Sequence, residues 1–226
     1  MERFAARRLR IGSARAAASS ACIACLGLMV AGCNIIGPVG YFVHGPEKIK
    51  AQYELDKERR TIVFIDDRAN RLPRRALRYD IASGAQDKLA QRAGLENMID
   101  ARSAILAAGK DRRDDPVSIE TIGLAAQAEV VVYASVESFA LSPDGSTYSP
   151  SAALRVKVID VSNRTRLWPE ERDGKPLNVQ LPPRTGTVPQ SLSDLARAEA
   201  ELATATGHAL AQMFYTFEKQ QAVSKR

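Results

Sequence analysis

The sequence predicts an α/β domain: a single mixed sheet with an antiparallel meander, flanked by helices and closed by a long C-terminal helix. Three observations predict it. Thr61-Ile-Val-Phe-Ile-Asp66 is a short, almost wholly apolar run, the pattern of a strand buried on both faces. Residues 129–141 form a long stretch rich in valine, and residues 153–161 return with Leu154, Val156 and Val158 alternating with Arg155 and Lys157, as adjacent antiparallel strands do. Residues 191–218 place Leu192, Leu195, Leu202, Ala209 or Leu210, Met213 and Phe217 at helical spacing.

The remaining elements follow in order. Residues 49–55 alternate and predict an edge strand; residues 56–60 are a polar turn. Pro73 precedes a helix over 75–93, with Ala76, Leu77, Ile81 and Leu89 for its core face. Gly94 suits its end, because a left-handed residue closes many helices. Met98-Ile99 predicts a short strand, and residues 101–108 a helix stopped by Gly109. Residues 110–115 are all charged and predict a loop. Pro116-Val117-Ser118 opens another helix, with Ser118 as N-cap and Ile119, Ile122 and Ala126 facing inward. Ser142-Pro-Asp-Gly-Ser146 and Ser162-Asn-Arg-Thr165 carry turn chemistry. Arg166-Leu-Trp168 then begins a third strand, which residues 178–181 extend beyond the Asp173-Gly174 turn. Gly207 and its neighbouring threonines weaken the middle of the last helix.

Ahead of this domain the chain changes character. Arg3, Arg7, Arg8, Arg10 and Arg15 are followed by an uncharged run, residues 16–32, with Ile23, Leu26, Leu28, Met29 and Val30. Positive residues, then apolar residues, then small residues is the order of a secretory signal. The run has 17 residues, many of them Ala, Ser or Gly, which is short of the about 20 mainly apolar residues a spanning helix needs. Arg7-Arg8 is an adjacent pair, but its flanks fit general secretion better than the twin-arginine route.

Val30-Ala31-Gly32-Cys33 resembles the lipobox of bacterial lipoproteins. That resemblance implies cleavage between Gly32 and Cys33, lipid such as palmitate on the Cys33 thiol, and acylation of the new amino terminus. The competing reading is a stop-transfer helix with an incidental cysteine. One acyl chain binds a membrane only marginally, so two or three on Cys33 supply the anchor. Asn34, where the inner-membrane retention signal has Asp, favours the outer membrane by resemblance to that sorting rule. The expected organisation is a cleaved signal over 1–32, the lipidated cysteine and a Pro/Gly-rich tether over 33–47, the α/β domain over 48–218, and a polar tail over 219–226.

Removal of the signal reshapes the composition. The whole chain has 32 basic and 26 acidic residues and a formal charge of +6. Residues 1–32 hold five of the former and one of the latter, which leaves 27 against 25. A near-neutral domain has no footprint for nucleic acid. Arg68, Arg71, Arg74, Arg75 and Arg78 remain as one local cluster, read as a solvated loop and helix start rather than an anion site. Cys22 and Cys25 have redox or zinc spacing but fall inside the signal, so Cys33 is the one thiol expected to survive.

The order strand, helix, short strand, helix, long strand pair, helix resembles the amino-terminal domain of the Tol translocation protein and its relatives. Those include the curli-secretion lipoprotein and the outer-membrane activators of penicillin-binding proteins. The stretches that carry the likeness are Thr61 to Asp66, Ala126 to Tyr133 and Val156 to Trp168. The chain lacks the long spacer of the activators and the pore-forming segments of the curli protein. The resemblance therefore implies an accessory, binding-type periplasmic domain.

No motif for catalysis stands out. Asp66-Asp67 is a candidate carboxylate pair or, more simply, a turn cap. Trp168 is a candidate binding anchor or a core plug. His44 and His208 are far apart in sequence and have no cysteine beside them, so no metal is expected. No Walker loop, dinucleotide fingerprint or nucleophile elbow occurs. The expected role is non-enzymatic: an envelope accessory or interaction protein, with the membrane reached through lipid, a protein partner, and no cofactor besides the lipid on Cys33. An auxiliary lipoprotein of an ABC-type lipid transporter and an envelope hydrolase are the alternatives.

Overall fold

The apolar run Thr61–Asp66 is buried at every position, and its neighbours explain why. A computed structural model describes residues 48–109, 117–145, 147–182, 189 and 191–218. Within them the strands are β1 (Lys48–Ile49), β2 (Thr61–Asp66), β3 (Met98–Ile99), β4 (Val130–Ala140), β5 (Ser151–Asp160), β6 (Thr165–Trp168), β7 (Lys175–Gln180) and β8 (Phe217–Glu218). The α-helices are α1 (Ala76–Lys88), α2 (Ala101–Ala108), α3 (Ile119–Ala125) and α4 (Leu192–Gln212). Residues 49–217 form one compact unit, and Lys48 and Glu218 belong to a second.

The main sheet runs β3-β2-β4-β5-β6. β2 pairs in parallel with β3 and β4, so a β-α-β crossover follows it and both of its faces are covered. β4 and β5 are antiparallel, as the meander requires. This is the predicted mixed α/β sheet with its long last helix. β6 pairs with Val158–Asp160 of β5, and β7 with Ser151–Val156. They therefore share one edge of β5 as an interrupted strand. Residues 169–174 form the interruption, with a cis Trp168–Pro169 peptide and Gly174 at φ 89°.

Strand alternation sorts the core into two layers. Val63, Ile65, Val132, Leu154 and Val156 meet α1 and α4 on one face. Ile62, Phe64, Val131 and Ile159 meet α2 and α3 on the other. Ser118 caps α3 as the sequence suggests, and Asp100 and Ser191 do the same for α2 and α4: each side chain accepts a backbone N–H from the first turn of its helix. Residues Leu89–Ala93 continue α1 as a π turn that ends at left-handed Gly94, φ 72°. The Gln86 carboxamide is nearly buried, donating to the Ile99 carbonyl and accepting from the Ala101 N–H, and so ties α1 to the β3–α2 junction.

Three expectations are corrected, and one residue gains a further role. The edge strand over 49–55 stops at Ile49, and the Gln52 and Tyr53 N–H groups turn to the Met213 carbonyl instead. The last helix ends at Gln212, and Phe217 lies in β8, which pairs with β1. Ala76 and Leu192 face solvent, Leu192 with 86% exposure; the turn of α1 buries Leu77 in place of Ala76, and the first buried residue of α4 is Ala198. Gly207 is a site of close approach: a Cβ there would lie 2.4 Å from the Ile81 carbonyl oxygen and 2.9 Å from the Ala85 nitrogen. Glycine lets α1 and α4 touch backbone to backbone. Residues 110–115 and the tether lie outside the described residues.

Candidate functional site

The carboxyl end of β2 gathers the polar side chains the sequence singled out. Alternation puts Asp66 on the same face as Phe64, and the parallel register sets Asp66 beside Ser135 and Phe64 beside Tyr133. The Tyr133 hydroxyl donates to Asp66 Oδ2 at 2.8 Å. Arg68 Nε lies 3.2 Å from the same oxygen, and Arg68 Nη2 donates to the Val117 carbonyl at 3.0 Å. The Tyr133 ring is 6.1 Å from Phe64. Burial, then the Asp66 charge and hydrogen bond, push the Tyr133 phenol well above its ordinary range. The phenol is thus a hydrogen-bond donor to the Asp66 carboxylate. The cluster holds one buried carboxylate in place between a phenol and a guanidinium.

Asp67 has different partners. It accepts from the Arg71 N–H at 2.6 Å and the Leu72 N–H at 3.0 Å, and its carbonyl accepts from Asn70 N–H at 3.1 Å. The two neighbouring carboxylates thus serve separate hydrogen-bond sets: one crosses to β4, the other closes the 67–72 turn.

The arginine cluster is partly built into the fold, where a solvated loop was expected. Arg74 Nε pairs with Glu199 at 2.6 Å and its Nη2 donates to the Ala196 carbonyl, joining the start of α1 to α4. Arg78 Nε donates to the Ile65 carbonyl at 2.9 Å, and its guanidinium lies 5.4 Å from the Phe64 ring centroid. These contacts join loop, helix and strand in an order that no local pattern announces.

Trp168 is half-buried. Its ring stacks on Tyr53 at 6.1 Å and meets Phe214 edge-on at 5.9 Å. It packs against the first core, as a plug does. Beside it Tyr215 meets Phe217 edge-on at 6.1 Å.

A second polar cluster, absent from the sequence reading, sits at the opposite end of β2. Arg59 Nη2 donates to Asp160 Oδ2 at 2.9 Å and to the Glu129 carbonyl at 3.1 Å. Asp160 also accepts the Asn163 N–H at 2.9 Å, and Glu129 Oε2 accepts the Arg60 N–H at 2.9 Å. The Asn163 N–H, with help from Arg59, holds Asp160 below the usual carboxylate range; the Arg60 N–H does the same for Glu129. The turn at 160–163 is visible in the sequence as Asp-Val-Ser-Asn, but the arginine that completes it lies a hundred residues earlier.

His208 is half-buried on α4, where burial and then Lys88 lower its pKa. Among the described residues no three His, Cys, Asp or Glu side chains come together to hold a metal ion. Gly32, Cys33 and His44 lie outside the described residues.

No protein-family model matches the chain, and no curated protein matches it. Some solved structures do. The PelC dodecamer from Paraburkholderia phytofirmans is 14% identical, over 75% of this chain and 97% of that one, with a TM-score of 0.41. Lipoprotein GNA1162 from Neisseria meningitidis is 11% identical, over 63% and 92%, with a TM-score of 0.35. The hypothetical protein CT253 from Chlamydia trachomatis is 18% identical, over 68% and 90%, also at 0.35. Likenesses this remote carry no argument about role. Among the described residues, no helix is long and apolar enough to cross a membrane.

Proposed function

We propose that this chain is a lipid-anchored accessory protein of the bacterial envelope, acting by docking rather than by catalysis. The observation that carries the reading is Val30-Ala31-Gly32-Cys33 behind a basic stretch and an uncharged apolar run. Acyl chains on Cys33 tether the α/β domain to the membrane, and Asn34 directs it to the outer one. Asp66, Asp67 and Asp160 each accept hydrogen bonds from within the domain.

The test is metabolic labelling of cells making the full chain, wild type or Cys33→Ala, with tritiated palmitate. Label is expected on the wild type, in the outer-membrane fraction and on a chain shortened by the signal. The variant is expected to carry none. Equal labelling of the two would overturn the anchor. A crosslinked partner recovered from intact cells with the wild type and lost with the variant supports docking.

A further inference from the structure

Building on the lipid-anchor reading, we propose that one pole of the domain rests on the bilayer surface that holds the anchor. That pole consists of Ile49, Tyr53, Leu167, Trp168, Tyr215 and Phe217. Three separate stretches of chain carry these residues, Leu167 as the chain neighbour of Trp168. β1 pairs with β8, the Gln52 and Tyr53 N–H groups bond to the Met213 carbonyl, and Tyr53 stacks on Trp168. Ile49 and Leu167 are 40% and 38% exposed, although both are large and apolar. The four aromatic residues are half-buried. Tyrosine and tryptophan present an apolar body and a polar tip, the amphipathic form that gathers at the boundary between lipid and water.

Chain length selects the occupant. Ile49 lies sixteen positions after Cys33, and even a fully extended run of that length reaches only about 55 Å. The helix α4 has 21 residues and so spans about 32 Å. It ends beside this pole, where Met213 receives Gln52 and Tyr53. Contact through the far end of α4 would use more than half of the tether's maximum reach. Contact through the near pole needs none of it. The apolar pole is therefore the part of the domain that the anchor holds nearest to lipid.

The chain's one tryptophan, Trp168, is a built-in reporter. The experiment reconstitutes the purified lipidated protein into vesicles of phosphatidylethanolamine and phosphatidylglycerol. The vesicles are made with or without phosphatidylcholine brominated near its headgroup, and Trp168 emission is read on the floated fraction only. Bromine is expected to quench the wild type. Quenching is expected to fall by roughly half or more in Ile49→Ser/Leu167→Ser, and to stay unchanged in Leu192→Ser at the far end of α4. Both variants are first checked for an unchanged thermal midpoint. Floated protein without quenching, or equal quenching in the double variant, would overturn the proposal. So would copy-to-copy crosslinks through this pole, which would make it a self-association surface. Failure to float would remove the anchor itself, and this inference with it.

Discussion

Asp160 shows what single residues do at the amino end of β2. Its carboxylate accepts from the Asn163 N–H and from Arg59, and these donors hold its pKa down; Glu129 is held down by the Arg60 N–H. A carboxylate with a depressed folded-state pKa binds its proton more weakly when folded than when unfolded. Its contribution is complete above the unfolded pKa, about 3.9 for Asp, and is lost as pH falls through the folded value. Asp160→Asn keeps an oxygen for Asn163 but removes the charge that Arg59 meets. At pH 7 this is expected to cost about 1–3 kcal/mol, read as the urea midpoint. The gap between variant and wild type is expected to narrow as pH falls below about 4. A gap independent of pH would show that the charge contributes nothing. At this scale the sequence was half legible. The turn beside Asp160, at 162–165, and the capping role open to Asp67 are local patterns. The Asp66–Tyr133 bond joins residues 67 positions apart, and it becomes visible only once the parallel register is known.

Elements were legible where their signals are local. Thr61–Asp66, Met98–Ile99 and Ala101–Ala108 lie where apolar runs and glycines place them, and Ser118 caps its helix. The missed boundaries were decided by distant backbone. No glycine or proline interrupts residues 208–218, so periodicity alone carries the helix past Gln212. There the Met213 carbonyl is instead taken by Gln52 and Tyr53. The packing role of Gly207 was hidden for the same reason, since helix propensity is local and the approach of α1 is not. A paired substitution separates the two effects. At Gly84 a Cβ would meet only ordinary contacts of 3.7 Å or more, so Gly84→Ala is expected to stabilise by up to about 1 kcal/mol. At Gly207 the same Cβ would lie 2.4 Å from backbone of α1. Overpacking there is expected to outweigh the propensity gain and leave a net loss of about 1–3 kcal/mol. Thermal unfolding of the two variants checks the opposite signs. A stabilised Gly207→Ala would mean that α1 and α4 separate at little cost.

At the scale of the whole molecule, two cores share one sheet. Ile62 and Phe64 face α2 and α3, while Val63 and Ile65, in the same strand, face α1 and α4. The pattern repeats in β4 with Val131 and Val132. Neither layer can melt without exposing alternate residues of strands the other layer needs. The body is therefore expected to unfold as one cooperative unit. Leu202→Ala empties part of the first core and Ile122→Ala part of the second; both side chains are wholly buried. Each is expected to cost about 2–5 kcal/mol. Trp168 belongs to the first core, on the opposite side of the sheet from Ile122. If the sheet couples the layers, Ile122→Ala shifts the Trp168 fluorescence transition as far as it shifts the far-ultraviolet dichroism. If the layers are separable, dichroism gains an early step while Trp168 stays at its wild-type midpoint.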